Sequence, residues 1–119
     1  ILRPCGLCNL SEVIVRSNDT PDTLAKKVRI ATIIGTFQST LTDFRYIRKQ
    51  WKRNAEDERL LGVSLTGIMD SKLTSGLDCG DLLQDLRATS ITVNKEWADK
   101  LGINPSVAIT TVNLSSFVE

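Results

Sequence analysis

Three short apolar runs alternate with two long helical stretches, and this alternation constrains the fold more than any other feature of the sequence. The apolar runs lie at 8–15, 60–70 and 107–112, and the helical stretches at 21–41 and 81–101. β-Branched residues dominate the first and third runs, which favours buried strands. The order strand, helix, connector, strand, helix, strand predicts an α/β fold with parallel strands joined by right-handed crossovers.

The first helical stretch has a clear start. Thr20 is a plausible N-cap and Pro21 suits the first helical position. Apolar residues then recur near helical spacing, which predicts a long, largely buried helix over 21–41. Gly35 within it predicts close packing or a bend. The residues of this predicted stripe are Leu24, Val28, Ala31, Phe37 and Leu41, widened by Ile30, Ile33 and Ile34.

The second helical stretch ends before Gly102, a residue that suits the position just past a helix. Its apolar residues share one face: Leu82, Leu86, Val93, Trp97 and Leu101.

The overall charge argues against several classes of partner. Fifteen Lys and Arg against 14 Asp and Glu leave a net charge of +1, so no strong field favours nucleic acid or an anionic membrane. No apolar run approaches the roughly 20 residues that cross a bilayer. An odd number of cysteines, three, speaks against a disulfide-stapled secreted domain. We therefore expect a cytoplasmic protein that binds neither membrane nor nucleic acid.

The stretch 45–59 permits two interpretations. Its basic residues are interleaved with Tyr46 and Trp51, a pattern that could serve nucleic-acid binding. Its second half is acidic, however, and neutralises the first. The sequence favours a helical connector whose charges face water.

The cysteines are the main candidates for chemistry, because the chain has no histidine and therefore no Ser-His-Asp, Cys-His or imidazole-metal site. Cys5 and Cys8 form a Cys-x-x-Cys pair. Zinc would need two more ligands, and Cys79 is the one remaining thiol. A local redox pair is possible, although thioredoxin-type motifs open a helix whereas these residues lead into a strand. We interpret Cys79 as incidental, and Cys8 as either an inert core residue or a thiol held for chemistry on a rigid strand.

Four blocks in this chain resemble, in order, the catalytic subunit of the adenosylcobalamin-dependent (class II) ribonucleoside-triphosphate reductases. They are PCGLCNLSEV at 4–13, IATIIGTFQSTLT at 30–42, ERLLGVSLTGIMD at 58–70, and NKEWA with GINPSVAITTV at 94–98 and 102–112. The resemblance implies that residues 1–112 are a segment of that family's ten-stranded α/β barrel, contributing three strands and two long helices. Three parallel strands would otherwise leave open edges.

The resemblance also implies a role for Cys8. In this family a cobalamin-derived radical generates a thiyl radical in an Asn-Pro-Cys-x-Glu loop, which abstracts the ribose 3′ hydrogen. Two further cysteines reduce the 2′ position and form a disulfide, which a thioredoxin-like donor reduces. By its place in the Cys-Asn-Leu-Ser-Glu block, Cys8 matches one of these two cysteines. We expect it to line the barrel interior, since thiol exchange needs access.

Both ends of the chain depart from the family pattern. The radical-bearing loop would precede Ile1, and 113–119 diverge from the Lys-Pro-Ser-Gly-Thr motif that would hold substrate phosphate. We expect a segment that acts only with the remaining portions of the reductase and is inactive alone. The alternatives are a reductase of another radical class and a non-catalytic interaction module derived from this fold.

Overall fold

A computed structural model describes residues 4–67 and 80–110 as a small α/β domain. The elements are β1 (Cys8–Ile14), α1 (Pro21–Gln38), α2 (Lys49–Glu58), β2 (Leu60–Thr66) and α3 (Gly80–Leu101). The α/β class and the two long helices that the sequence predicts are confirmed. The loop expected near residue 70, Cys79 and the tail at 113–119 lie outside the described residues.

The sheet is parallel, as the alternation predicts. β1 pairs with β2 in a register that sets Cys8 beside Leu60 and Ile14 beside Thr66. The stretch 107–110 runs along the other edge of β2, where the Leu61 and Val63 amides donate to the carbonyls of Ala108 and Ile109. One parallel bridge forms there. In the described residues the predicted third strand is therefore a single bridge and not an extended strand. Within the described ranges the sheet has two strands and forms no closed barrel.

The start of α1 follows from its capping residues. The Thr23 amide donates to Thr20 Oγ1 and the Thr20 amide donates to Thr23 Oγ1, which satisfies two amide groups at the helix start. The helix ends at Gln38, three residues before the predicted boundary. Ser39 caps it, with its amide donating to the carbonyl of Gly35.

The core forms where α1 packs on one face of the sheet. Gly35 permits this contact, because a Cβ at that position would lie 3.2 Å from Leu61 Cδ2. The close packing predicted at Gly35 is therefore confirmed. α3 adds Leu86 to the same cluster, whose buried residues are Val13, Val15, Leu24, Val28, Ala31, Leu61, Val63, Leu86 and Ile109.

A buried asparagine connects α3 to α1. Asn94 Nδ2 donates to Thr36 Oγ1 at 3.0 Å and to Ser106 Oγ at 3.2 Å, and Asn94 Oδ1 accepts from the Ser106 amide at 2.9 Å. Because an unpaired buried amide is costly, this satisfied network fixes how the two helices and the turn before residue 107 meet.

The prediction that α1 is largely buried is wrong for its outer side. Ile30 and Ile34 are each 57% exposed, Phe37 is exposed beside Trp97, and Leu41 lies beyond the helix. The physical reason is incomplete coverage: no described element covers Ile30 and Ile34 fully, and the Trp97 ring of α3 covers Phe37 only in part.

The connector is also more structured than predicted. Its helical part, α2, begins at Lys49, and Tyr46 precedes it in a fully exposed turn with a left-handed φ of 67°. Arg59 does not simply face water: its Nη1 donates to the Ser39 carbonyl at 2.7 Å and its Nε to Asn104 Oδ1 at 3.0 Å. Arg59 thus links the end of α1 to the turn after α3. None of the helices in the described stretches is long and apolar enough to cross a membrane.

We predict that Leu24→Ala lowers the free energy of unfolding by about 2–5 kcal/mol, since Leu24 is fully buried between α1 and the sheet. The matched control is Leu83→Ala on the exposed side of α3, for which we expect less than about 1 kcal/mol. Urea denaturation followed by circular dichroism measures both. Equal losses for the two variants would contradict this packing.

Candidate functional site

Cys8 is the first residue of β1 and lies on the face of the sheet opposite α1. The face is assigned by Ser11, whose Oγ donates to the Ala31 carbonyl of α1 at 3.1 Å. Side chains alternate along a strand, so residues 9, 11, 13 and 15 face the helix and Cys8 faces away from it. The burial pattern agrees, because Val13 and Val15 are buried whereas Leu10 and Ile14 are exposed.

The face that carries Cys8 is only partly covered. On β1 it presents Leu10, Glu12 and Ile14, all exposed. On β2 the neighbouring positions are Leu60, which is half-buried, and the small residues Gly62 and Ser64, which are buried. Cys8 therefore stands at the amino-terminal edge of a parallel sheet whose described helices α1 and α3 pack on the other side.

An asparagine of α2 holds the chain that leads into Cys8. Asn54 is buried, and its Nδ2 donates to the carbonyls of Pro4 at 3.2 Å and Cys5 at 3.3 Å. Cys5 adopts a left-handed φ of 62°, a conformation that a non-glycine residue keeps only when its surroundings support it. Asn54 provides part of that support.

The residue after Cys8 is anchored as well. Asn9 is buried, and its Nδ2 donates to the Leu60 carbonyl at 3.1 Å in addition to the backbone pairing of the strands. Cys8 is thus fixed by the sheet on one side and by the Asn54 contacts on the other. A thiol on such a backbone loses little further entropy on reaching a reactive geometry.

The Cys8 thiol is half-buried, and this burial raises its pKa by disfavouring the charged thiolate. At neutral pH the thiol is therefore predominantly protonated. That form donates hydrogen, whereas disulfide exchange proceeds through the scarcer thiolate. Cys8 is therefore partly exposed and not sealed in the core, as a thiol that exchanges with other thiols must be.

Cys5 is the second free cysteine in the described part of the chain, and it is half-buried like Cys8. The structure therefore keeps both members of the Cys-x-x-Cys pair partly accessible, one in a turn and the other at the start of a strand. Within 4–67 and 80–110, no three His, Cys, Asp or Glu side chains are grouped as metal ligands.

Two shallow depressions lie away from Cys8. One, of about 600 Å³, is lined by residues 40–44 and Lys52. The other, of about 460 Å³, lies between α1 and α3 and includes Arg29, Asp85 and Glu96. Neither is lined by Cys5 or Cys8, and Cys8 lies at the edge of the sheet.

Sequence reasoning identified Cys8 but missed the residues that hold it. Asn54 sits in a charged run that reads as a solvated helix, and Asn9 follows Cys8 in a strand where its side chain has no evident partner. The sequence carried only a weak signal for these two residues. Asparagine is ordinarily disfavoured in the interior of a helix, where Asn54 lies, and in a strand, where Asn9 lies.

Comparison with protein-family models, with curated proteins and with solved structures finds no match to this chain.

We predict that Cys8 reacts with iodoacetamide more slowly at pH 7 than the same cysteine in a synthetic peptide of residues 1–16. Burial raises its pKa in the folded chain, so its thiolate fraction is lower at a given pH. The rate in the folded chain should keep rising with pH after that of the peptide has levelled off. Mass spectrometry of alkylation against pH measures both, and coincident profiles would contradict the raised pKa.

We predict that Asn54→Ala increases the alkylation rate of Cys5 and Cys8 and lowers stability by about 1–3 kcal/mol, because two carbonyls lose their donor. Gln50→Ala, at an exposed position of the same helix, is the control and should change neither quantity. An unchanged thiol reactivity in Asn54→Ala would show that this asparagine does not order the segment before β1.

Proposed function

We propose that this chain is a segment of the catalytic barrel of an adenosylcobalamin-dependent ribonucleotide reductase, and that Cys8 supplies one of its two reducing thiols. The reaction converts ribonucleoside triphosphates to 2′-deoxyribonucleotides, the precursors for DNA replication, in the cytoplasm. One observation carries the proposal: Cys8 lies on the face of a parallel sheet that α1 and α3 leave uncovered.

The side on which helices cover a parallel sheet indicates which strand face would line the interior of a barrel. Crossover helices pack on a parallel sheet, and in an α/β barrel they form the outer layer while the opposite strand faces line the interior. α1 connects towards β2 and packs on the side of Ser11 and Val13. Cys8, on the other side, has the orientation that an interior residue would need.

The edges of the sheet also favour a larger assembly. The stretch 107–110 continues the parallel order beyond β2, so the described strands succeed one another in chain order across the sheet. Exposed Leu10 and Ile14 on the thiol side, and Ile30 and Ile34 on the outer side of α1, are large apolar surfaces. Such surfaces are normally covered in a complete domain.

The proposed chemistry of Cys8 is hydrogen donation followed by disulfide formation. Cys8 and a second thiol elsewhere in the reductase together lose two electrons and two protons. One of these protons leaves with the 2′-hydroxyl of the substrate as water, the other proton and the two electrons form the new C2′–H bond, and the two sulfurs become a disulfide. A thioredoxin-like dithiol then reduces that disulfide by exchange. The raised pKa keeps Cys8 in the protonated form that the first step uses.

Adenosylcobalamin would supply the initial radical when bound. The two shallow depressions described above lie away from Cys8, and Cys8 lines neither of them. We therefore assign no residue of this chain to the cofactor. The role that we assign to this chain in the reaction is to supply the reducing thiol of Cys8.

The test is turnover of a ribonucleoside triphosphate with adenosylcobalamin and a thioredoxin-like reductant. We expect no turnover by the chain alone, and turnover when it is joined to the remaining barrel portions. In that assembly Cys8→Ser should reduce multiple turnover by at least about a hundredfold, since the reducing disulfide can no longer form. Cys79→Ser is the matched control and should retain activity.

Two results would overturn the proposal. Turnover by the isolated chain would refute its being a segment of the site. Full activity of Cys8→Ser in the assembled enzyme would remove the role of Cys8 and favour a non-catalytic interaction module that keeps this fold.

A further inference from the structure

We propose that Cys5 and Cys8 close a reversible disulfide that withdraws Cys8 from reaction. The disulfide would regulate Cys8 in its proposed role as a reducing thiol, so the functional consequence of the disulfide rests on the proposed function. The formation of the disulfide itself can be tested without any reductase activity.

The first observation is that both thiols are partly accessible. Cys5 and Cys8 are each half-buried, so an external disulfide can reach them and neither is sealed in the core. Cysteines that respond to redox conditions are accessible and stand close to a second thiol. Cys5 and Cys8 are both accessible, and only two residues separate them in the sequence, so each has a second thiol nearby along the chain.

The second observation concerns the path of the backbone between them. Three fully extended steps would separate the two Cα atoms by about 10 Å, whereas a disulfide needs about 4.4–6.8 Å. The torsions of the two intervening residues, Gly6 and Leu7, set that separation, and neither residue belongs to a helix or strand. Gly6 lacks a Cβ and can adopt the compact backbone conformations that would bring the two thiols within reach.

The third observation is that the anchoring contacts do not use the Cys5 side chain. Asn54 bonds the carbonyls of Pro4 and Cys5, and Asn9 bonds the carbonyl of Leu60. These bonds hold the turn beside the start of β1 and leave rotation about the Cys5 Cα–Cβ bond unrestricted by them. The effective concentration of Cys5 at Cys8 is therefore high, as for two groups on one short linker.

The oxidation needs an external disulfide, and a small-molecule disulfide such as oxidised glutathione suffices. The Cys5 thiolate attacks one sulfur of that disulfide, whose S–S bond breaks and releases one thiol. Cys8 then attacks Cys5 Sγ and expels the second thiol. The two cysteine sulfurs lose two electrons to the small-molecule disulfide, and the two cysteine protons end on the two released thiols.

Cys5 is the natural first attacker. Burial raises the pKa of the Cys8 thiol, which lowers its thiolate fraction and its rate of first attack on an external disulfide. Once Cys5 carries a mixed disulfide, the neighbouring Cys8 needs only a brief ionisation to resolve it. A dithiol reductant reverses both steps and restores the Cys8 thiol.

The experiment incubates the unmodified full chain with oxidised and reduced glutathione, traps remaining thiols with N-ethylmaleimide, and analyses tryptic peptides by mass. The peptide that ends at Arg16 contains both Cys5 and Cys8, whereas Cys79 lies in a separate peptide between Lys72 and Arg87. We expect the first peptide to lose two hydrogens and to take up neither glutathione nor maleimide. Dithiothreitol should restore two maleimide-reactive thiols.

Two variants complete the test. In Cys5→Ser the glutathione adduct on Cys8 should persist, and its yield should rise about tenfold over the unmodified chain, because no resolving thiol is present. Cys8→Ser should show the corresponding stable adduct on Cys5. Independent adducts on both cysteines of the unmodified chain, or a disulfide from either one to Cys79, would overturn the inference.

The outcome is separable from that of the proposed function. A disulfide in the Arg16 peptide without reductase turnover in the assembled enzyme would refute the reductase proposal and leave the redox pair standing. Turnover that depends on Cys8, with no Cys5–Cys8 disulfide, would refute the redox pair and leave the reductase proposal standing.

Discussion

The parallel pairing of β1 with β2 is the constraint on which the rest of this structure depends. Parallel neighbours cannot be joined by a tight turn, so the chain must leave the end of β1 and return to the starting edge of the sheet. α1 and α2 make that return. Packing of α1 on one sheet face buries Leu24 and Val28 against Val13 and Leu61. Because α1 packs on that face, Cys8 lies on the opposite face of the sheet.

Polar contacts at the amino-terminal edge then turn this arrangement into a defined site. Asn54 and Asn9 bond backbone carbonyls on either side of Cys8, and Arg59 connects the end of α1 with the turn after α3. Each of these bonds joins segments that are distant in sequence. The thiol is consequently held by several elements at once, although it lies near the end of the described chain.

The two proposals assign complementary properties to one thiol. Partial burial keeps Cys8 protonated and suited to hydrogen donation, and partial exposure allows a neighbouring thiol or an external dithiol to reach it. A fully buried cysteine would lack the second property, and a fully exposed one would have a larger thiolate fraction at a given pH. The position at the edge of the sheet, beside half-buried Leu60, supplies both.

Local sequence determined the α/β class and the start of α1 at its Thr20 cap, because propensity and capping are short-range properties. Gly35 marked a position for close packing or a bend, whereas its contact with Leu61 is tertiary. The resemblance of the first block, and not a local property, made Cys8 the candidate thiol. Only the tertiary structure decided that Ile30 and Ile34 stay exposed, that Arg59 is bonded, and that Asn54 holds the Cys5 turn. Those outcomes depend on which surfaces other elements cover and on partners about 20 to 50 residues away, information that helical periodicity and residue type do not contain.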